Sequence, residues 1–455
     1  MENLNVWITD VNSILWGVFV LIPLLCGTGI FYTIRLRFVQ VRLFKLAARY
    51  LLGGATLFGK KADHTGMSSF QALATAIAAQ VGTGNVAGTA TALVAGGPGA
   101  LFWLWLAAFF GMATIFAEAV LALTYKSHDE RGHVVGGPAY YITLGMGKRF
   151  KPMAYFFSIA IIIALGCIGN MVQSNSISLA MNNAFALPLW LSGLVTAILA
   201  GFIFFGGVKR IAGVTEKLVP IMAVTYLLGG SYVLACHASA ILPAFELIFT
   251  AAFNPQAVGG GALGLTVAKA MQYGVARGLF SNEAGMGSTP HAHAIAKVEH
   301  PAEQGLVAMF GVFATVLVVT FTGLVILVTG VLDYQNTGIE LTQQAYNVDF
   351  GTFGSTFVAI CLFFFAYSTI IGWYFFGAQN VIFLIGRKGL VPYRLLVCGF
   401  IMVGVMLKVD LVWSLADLFN GLMVIPNLIA LLALNKVVVN SLHDFEQKLK
   451  AHHLM

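Results

Sequence analysis

Long apolar stretches restrict what this chain can fold into. Only 9% of its 455 residues are charged, against about 25% in soluble domains. A stretch of about 20 apolar residues crosses a bilayer as a helix, which pairs its own backbone polar groups. We therefore predict an all-α integral membrane protein. About eleven transmembrane helices are predicted, at 12–32, 66–95, 98–125, 152–182, 187–206, 214–236, 260–296, 303–331, 352–385, 391–407 and 411–434.

Basic residues collect on one side of the predicted spans. With the N-terminus outside, 22 of the 25 Lys and Arg fall in internal segments, while the predicted external loops 237–258 and 332–350 have none. This positive-inside bias predicts an external N-terminus and a cytoplasmic C-terminus in a plasma (inner) membrane. It also explains the net charge of +7 without a nucleic-acid partner.

The segment GTGNVAG, residues 82–88, interrupts the second apolar stretch. A dinucleotide-binding turn would need a preceding strand and an acidic residue about 20 positions later, but the next acid, Glu118, comes 30 positions after Gly88. Close helix packing through Gly84 and Gly88 is a second interpretation. A third is a broken helix lining a cavity, where free N–H and C=O groups suit an anion and a cation.

A second segment favours the broken helix. Residues 85–88 (NVAG) align with residues 282–285 (NEAG), 197 positions later. The segments lie in the second and the seventh predicted spans, an odd offset of five, so the copies cross the membrane in opposite directions. Paired interrupted helices in the two halves of a chain are typical of transporter binding sites.

The alignment predicts a 5+5 inverted repeat with two broken helices and one extra N-terminal helix. The predicted segments are the N-terminal helix with a basic cytoplasmic loop, the first repeat, an external loop, the second repeat and a cytoplasmic tail, at 1–65, 66–236, 237–258, 259–434 and 435–455.

Four longer motifs carry a specific resemblance. GTGNVAGTATALVAGGPGALFWLW, GGPAYYI, GLFSNEAGMGSTPHAHA and DLFNGLMVIPNLIAL resemble the sodium:alanine symporter family, also called alanine/glycine:cation symporters. The similarity extends over essentially the whole chain. It implies a leucine-transporter-type (LeuT) fold and coupled uptake of alanine, or in some members glycine, serine or glutamine, with Na⁺.

A zwitterionic amino acid needs donors for its carboxylate and acceptors for its ammonium group. Backbone N–H groups of Thr83 and Gly84 would face the carboxylate at a helix N-terminus, and the resemblance extends this role to Asn85. Amide oxygens of Gln80 and Asn282 are candidates for the ammonium group. Gln80 has the alternative of an interhelical hydrogen bond.

Three further side chains are candidates for the substrate site. Ser281 lies beside the second break, and Gln272 could lie a turn or two away from it. Trp373 could form a pocket wall that limits the substrate side chain to about a methyl group. An interfacial or lipid-facing position for Trp373 is the alternative.

The resemblance also implies the Na⁺ ligands. Carbonyls of Ala78 and Val81 would join hydroxyls of Ser368 and Thr369, and Asn85 is a candidate for a second cation site. Adjacent Ser and Thr hydroxyls in a membrane helix often bond only to the preceding turn, which is the alternative for this pair. Na⁺ is the coupling ion, and no other metal or cofactor is expected.

Charges inside a membrane are usually paired or functional. Arg277 and Glu283 flank the second break, and we predict that they form an ion pair or gate. Direct binding of the substrate carboxylate by Arg277 is the alternative. Glu118 is expected to pair with a basic residue of an inner loop, and Asp417 is expected to tie helices together.

Other chemistry has weaker support. His291, His293 and His300 form a group that could suggest zinc, but we expect these side chains at the membrane interface. The five cysteines have no pair spacing, and no nucleophile–base arrangement indicates an enzyme.

The sequence therefore predicts a secondary active transporter. Its expected partners are a small neutral amino acid, Na⁺ and the lipid bilayer, with no obligate protein partner. The main rival is proton coupling, in which a buried Lys such as Lys217 replaces Na⁺. A salt bridge with the adjacent Glu216 is the more natural role for Lys217.

Overall fold

A computed structural model describes residues 2–17, 19–52, 66–254 and 266–451. The predicted segment boundaries near residues 65 and 258 lie outside these ranges. Helices dominate the described residues. They are α1 Glu2–Leu15, α2 Leu21–Arg35, α3 Val39–Arg42, α4 Phe44–Leu52, α5 Ser69–Gln80, α6 Thr89–Gly96, α7 Ala100–Thr124, α8 Pro138–Tyr140, α9 Lys151–Ile161, α10 Asn170–Phe185, α11 Leu189–Phe205, α12 Gly207–Cys236, α13 Ala238–Phe253, α14 Val267–Asn282, α15 Pro290–His293, α16 Pro301–Val328, α17 Gly338–Phe350, α18 Phe353–Ile385, α19 Leu390–Gly404, α20 Val409–Ala433 and α21 Asn435–Ala451.

Short irregular turns join several of these helices. A π-helical turn at Gly84–Gly88 leads into α6, and another at Ile162–Gly169 makes α9 and α10 nearly continuous. A two-residue hairpin pairs β1 Ser127–His128 with β2 Val134–Val135. The structure is thus helical, as predicted.

Six of the described helical segments are long and apolar enough to cross a membrane. They are Ala100–Thr124, Lys148–Phe185, Gly207–Cys236, Pro301–Val328, Phe353–Ile385 and Val409–Ala433. Shorter apolar helices are Leu21–Arg35, Leu189–Phe205 and Ala238–Phe253. The count of eleven spans therefore remains a prediction.

The first predicted span, 12–32, is not one helix. α1 ends at Leu15 and α2 begins at Leu21. Between them, the buried Trp16 donates from Nε1 to the carbonyl of Asp417 at 3.0 Å. The helix is thus interrupted near a buried tryptophan, whereas a uniform apolar pattern suggested a straight helix.

Both predicted external loops contain helices. α13 occupies most of 237–258 and buries Ala244 and Ile248. α17 occupies the end of 332–350 and buries Leu341 and Tyr346 on one face. With 16 and 13 residues, both helices are shorter than the about 20 residues that cross a bilayer, so each segment was predicted as a loop.

Two helix groups meet at α5. In the first group α7 packs along α14 and α16, and in the second group α10 packs along α18 and α19. α5 contacts α12 and α16 as well as α18, so its C-terminal end lies where the groups meet. α17 contacts the π-helical turn at Gly84–Gly88, and Thr342 donates from Oγ1 to the carbonyl of Val86 at 3.3 Å.

The hairpin is fixed to the end of α18 by an ion pair. Arg387 Nη1 lies 2.6 Å from Asp129 Oδ2, and the Asp129 side chain is only 2% exposed. Burial alone would raise the pKa of Asp129. Hydrogen bonds from Arg387 and from the backbone N–H groups of His133 and Arg131 outweigh it and lower this pKa to about 2.

We expect Asp129→Asn to lower the free energy of unfolding by about 2 kcal/mol, because the charge that Arg387 pairs with is lost. A lowered native pKa gives stabilisation that is present above the ordinary pKa of 3.8 and lost as the pH falls through the native value. The difference in melting temperature from the unsubstituted protein in detergent should thus be the same at pH 5 and pH 7. Glu130→Gln, at an exposed neighbour, is the control. A melting-temperature difference at pH 5 that is only half the difference at pH 7 would contradict the lowered pKa of Asp129.

Candidate functional site

The first break lies between α5 and the π-helical turn. α5 begins with a capping box at Ser68 and ends at Gln80, and Val81 leaves helical geometry with φ −94° and ψ 87°. The Gly82 N–H donates to Asn85 Oδ1 at 3.0 Å. A Cβ at Gly82 would collide with Thr369 Oγ1 and crowd Gln173 Oε1. The glycine therefore allows α10 and α18 to approach the unwound backbone.

Side chains from the two breaks bond to one another. Asn85 Nδ2 donates to Ser281 Oγ at 2.7 Å, and Gln80 Nε2 donates to the Asn282 carbonyl at 2.6 Å. All four residues are buried. The structure thus brings together four predicted site residues that are about 200 positions apart in sequence.

Gln272 is the exception among the predicted substrate residues. It lies on α14 ten positions before Asn282, which is about 15 Å along a helix. The structure does not place it at the break. The prediction allowed only one or two turns, because the end of the helix was uncertain in sequence.

Thr83 and Gly84 lie at the start of the outer half-helix. Thr83 N–H donates to Gln173 Oε1 at 3.1 Å, while Thr83 Oγ1 and Gln80 Oε1 are buried without a hydrogen-bond partner among the described residues. Sequence analysis missed Gln173. The only sequence signal was an unusually polar run, NMVQSNS at 170–176, within a predicted span.

The predicted cation ligands converge on one carbonyl. Ser368 Oγ lies 3.2 Å and Thr369 Oγ1 lies 3.0 Å from the carbonyl oxygen of Ala78. Both hydroxyls also reach the carbonyl of Phe365, one turn back on α18. Back-bonding and contact with α5 therefore coexist. Neutral oxygens that converge in this way suit a hard monovalent cation, and the described residues contain no group of three His, Cys, Asp or Glu placed to hold a metal.

The second break follows Asn282. Glu283 adopts left-handed geometry with φ 56°, and a turn leads to the short helix α15. Glu118 accepts hydrogen bonds from the N–H groups of Gly285 and Gly287 at 3.1 and 2.9 Å, and from Asn427 Nδ2 at 2.7 Å. The expectation of a basic partner for Glu118 was wrong, because unwound backbone supplies its donors.

The predicted ion pair between Arg277 and Glu283 was also wrong. Arg277 forms a bidentate pair with Asp417, at 2.5 and 2.8 Å, and stacks over the Trp413 ring at 4.7 Å. Positions six residues apart on a helix point to different sides. Asp417 on α20 therefore reaches Arg277, whereas Glu283 turns toward α18.

Glu283 instead binds the predicted pocket residue. Trp373 donates from Nε1 to Glu283 Oε1 at 2.5 Å, and Ser288 donates its hydroxyl to the same carboxylate. Trp373 is fully buried and meets the Phe280 ring edge-on at 5.5 Å. This excludes the interfacial and lipid-facing alternatives for Trp373.

The histidines near the second break have structural partners. His291 contacts the Ser288 carbonyl at 2.7 Å and Asn380 at 2.8 Å, and His293 contacts Gln304 at 2.9 Å. Both are buried, so the expected interfacial position was wrong for these two. Packing of α15 under α7 accounts for their burial.

Lys217, the residue considered for proton coupling, is exposed on α12. Its neighbour Glu216 accepts a hydrogen bond from Gln71 at 2.9 Å. Lys217 therefore does not replace a cation beside Ser368.

Family comparison agrees with this geometry. Residues 1–454 match the family model described as the sodium:alanine symporter family. The chain belongs to this family. The resemblance read from the four motifs is thereby confirmed.

Named relatives cover nearly the whole chain. Sodium/alanine symporter AgcS of Methanococcus maripaludis is 44% identical over 456 residues, covering 97% of each chain. Probable sodium/glutamine symporter GlnT of Bacillus subtilis is 43% identical over 443 residues, covering 97% of this chain and 90% of its own. Members that resemble this chain equally thus bear different substrate names.

Solved structures show the fold. MhsT in complex with L-phenylalanine has a TM-score of 0.59 at 14% identity, over 84% of this chain and 96% of its own. A variant of the manganese transporter of Eremococcus coleocola has a TM-score of 0.53 at 15% identity, over 77% of this chain and 74% of its own. The predicted leucine-transporter-type fold is present.

Membership of the family gives the general activity. The protein is a multi-pass membrane transporter that couples an amino acid to a cation, and it is not an enzyme.

Glu118 should be essential to the second break. In Glu118→Ala, the N–H groups of Gly285 and Gly287 and the amide of Asn427 lose a buried acceptor, which should cost about 3 kcal/mol or more. We expect a clear fall in melting temperature in detergent and faster hydrogen exchange at 285–287. Glu246→Ala, at an exposed position on α13, should leave both unchanged. If Glu118→Ala had the same melting temperature as the unsubstituted protein, water or another group would have replaced the carboxylate.

Proposed function

We propose that this transporter imports a small neutral amino acid, alanine in the first place, together with Na⁺ by alternating access. Glycine, serine or glutamine are the other substrates that the family resemblance implies. Transport would occur across the plasma (inner) membrane, with the N-terminus outside and the C-terminus in the cytoplasm. Two five-helix repeats, 66–236 and 259–434, would provide the symmetry for two access states.

The observation that carries this proposal is the approach of two hydroxyls to one carbonyl beside the first break. Ser368 and Thr369 on α18 reach Ala78 on α5 at 3.2 and 3.0 Å. A Na⁺ ion drawn between these oxygens, with the carbonyl of Val81 as a further ligand, would join the two helix groups. Cation binding would therefore favour one arrangement of α5 against α18, which is what coupling requires.

The substrate would bind between the two breaks. Its carboxylate would accept hydrogen bonds from Thr83 and Gly84 N–H, where the dipole of the outer half-helix favours negative charge. Its ammonium group would meet Gln80 Oε1, which is buried and unpartnered among the described residues. Asn85 donates to Ser281 Oγ there, and the Asn282 carbonyl accepts from Gln80. Asn85, Ser281 and Asn282 would complete the polar wall.

Arg277 would act as an outer gate. Its partner in the gate would be Asp417, and not Glu283 as the sequence predicted. In the predicted topology, α14 runs inward from the external side, so Arg277 precedes the substrate site on the route from outside. The bidentate pair joins α14 to α20. Its opening would separate these helices above the site.

Uptake of labelled L-alanine into proteoliposomes tests the coupling ion. An inward Na⁺ gradient should drive accumulation, and choline at the same pH should not. Ser368→Ala/Thr369→Ala should raise the half-saturating Na⁺ concentration at least tenfold, because two oxygen ligands of a charged group are removed. Ser178→Ala/Thr196→Ala is the matched control, since those hydroxyls only bond back within their own helices. Uptake that follows a pH gradient without Na⁺ would overturn the proposal.

Trp373 should set the upper limit on substrate size. Trp373→Phe removes part of the ring and the N–H that binds Glu283, so glutamine uptake relative to alanine should rise about tenfold in kcat/KM. Trp105→Phe is the control, because Trp105 also donates to a side chain, Thr320, at 2.9 Å but lies away from the breaks. An unchanged ratio in Trp373→Phe would remove this side chain from the substrate pocket.

A further inference from the structure

A cavity of about 300 Å³ lies away from both breaks. Three connections between helices enclose it: the hairpin β1–β2, the turn from α11 to α12, and the chain from the end of α18 into α19. The predicted topology places all three on the cytoplasmic side. None of the described lining residues belongs to α5, α14 or α15, so the cavity is separate from the proposed substrate site. Its volume is at the lower end of the range for small-molecule sites.

Basic side chains set the charge of this cavity. Arg387, Arg394 and Lys209 line it, and Asp129 is the one acid among the described lining residues. Asp129 is already paired with Arg387, at 2.6 Å. The other two positive charges have no acidic partner among the residues that the structure describes. The cavity therefore favours an anion.

Arg394 is held so that its outer donors are free. Its Nε donates to the Tyr374 hydroxyl at 3.0 Å, and its guanidinium carbon lies 5.1 Å from the centre of the Phe205 ring. These two contacts orient the guanidinium plane, while its Nη1 and Nη2 groups donate to no described residue. A guanidinium group oriented in this way can offer two parallel N–H donors to a phosphate.

The first turn of α12 adds backbone donors to the same cavity. The residues from Gly207 to Lys209 line it together with Gly206, which precedes this 30-residue helix. No side chain caps the helix at Gly206, and the first N–H groups of a helix have no partner within it. The helix dipole adds partial positive charge at this end. Helix N-termini of this kind bind phosphate groups.

A buried acceptor indicates what else the anion carries. Gln379 lines the cavity and is only 4% exposed, and its Oε1 has no hydrogen-bond partner in the described part of the chain. An unpaired buried acceptor carries a free-energy cost that a donor removes. A ligand hydroxyl would supply that donor, whereas a fully ionised phosphate offers only acceptors.

We propose that this cavity binds a small phosphate ester that also carries a hydroxyl group. The phosphate would accept hydrogen bonds from Arg394 and from the first turn of α12, and Lys209 would add charge. The ligand hydroxyl would donate to Gln379. Soluble glycerol 3-phosphate and the headgroup of phosphatidylglycerol share this chemistry. The site is additional to the proposed amino-acid and cation sites and does not depend on the coupling ion.

A bound ester would join connections that now touch only in part. The pair between Arg387 and Asp129 already fixes the hairpin to the end of α18, and the ligand would add α12 and α19 to this contact. α12 packs along α5 and α18. Ligand binding should therefore stabilise this arrangement of α12 and raise the melting temperature of the protein.

The first test measures binding of glycerol 3-phosphate to the purified full-length protein in detergent by calorimetry, at about 0.15 M salt to screen weak surface attraction. Glycerol 3-phosphate should bind, and glycerol should not. Arg394→Gln should raise the dissociation constant at least tenfold, because charge-assisted hydrogen bonds to the phosphate are lost. Lys209→Gln changes an exposed side chain and should raise it at least threefold without loss of folding.

The second test distinguishes a lipid headgroup from a soluble ester. The melting temperature is measured in nanodiscs of phosphatidylcholine with and without phosphatidylglycerol. If the lipid is the ligand, phosphatidylglycerol should raise the melting temperature of the unsubstituted protein, and Arg394→Gln and Lys209→Gln should reduce this rise. Binding in either test that these two substitutions weaken supports the site and identifies its source of phosphate.

Lys388→Gln is the matched control, because it removes an exposed positive charge beside Arg387 that does not line the cavity. It should leave both results unchanged. Equal weakening by Lys388→Gln and by the two cavity substitutions would indicate general attraction to a basic surface and overturn the site. So would the absence of an effect of the ester and of the lipid on the unsubstituted protein. If Arg394→Gln does not fold, Lys209→Gln decides the outcome.

Discussion

Unwinding two helices inside a membrane is the constraint on which this structure depends. A backbone N–H or C=O that leaves its helix has no water to bond with in the hydrocarbon region, and each unsatisfied group costs several kcal/mol. The protein must therefore supply partners for both breaks from neighbouring helices. Glu118 on α7 and Gln173 on α10 are two side chains that serve this purpose.

The two breaks receive different kinds of partner. At the second break, the carboxylate of Glu118 accepts two backbone N–H groups, and Glu283 is bound by Trp373 and Ser288. At the first break, the partners are neutral amides and hydroxyls, mainly Gln173 and Asn85. The second break is thus held by carboxyl groups, whereas the hydrogen-bond partners named for the first break are neutral.

This difference suits the proposed cargo, a neutral amino acid and Na⁺. A zwitterion and a monovalent cation bring their own charges, and neutral oxygens and N–H groups bind them without a fixed charge that would hold them too tightly to be released. The unpartnered atoms among the described residues of the first break, Gln80 Oε1 and Thr83 Oγ1, are consistent with a site that is completed by a ligand. The carboxylates of the second break would keep the opposing wall rigid, because Glu283 fixes the ring of Trp373.

The sequence by itself determined the membrane class, the transporter family and the position of both breaks. Apolar length and positive-inside charge are properties of the chain, and GTGNVAG and NEAG mark local backbone that a regular helix would not contain. The proposal of Ser368 and Thr369 as cation ligands came from the family resemblance. Tertiary structure decided what could not be read along the chain, because pairing depends on distance in space. Arg277 lies six positions from Glu283 but bonds to Asp417, Glu118 bonds to glycine N–H groups that are about 170 positions away, and Gln173 reaches Thr83 from another helix. Gln272 does not lie at the site. The sequence left the length of α14 uncertain, and in the structure this residue lies about three turns from the break.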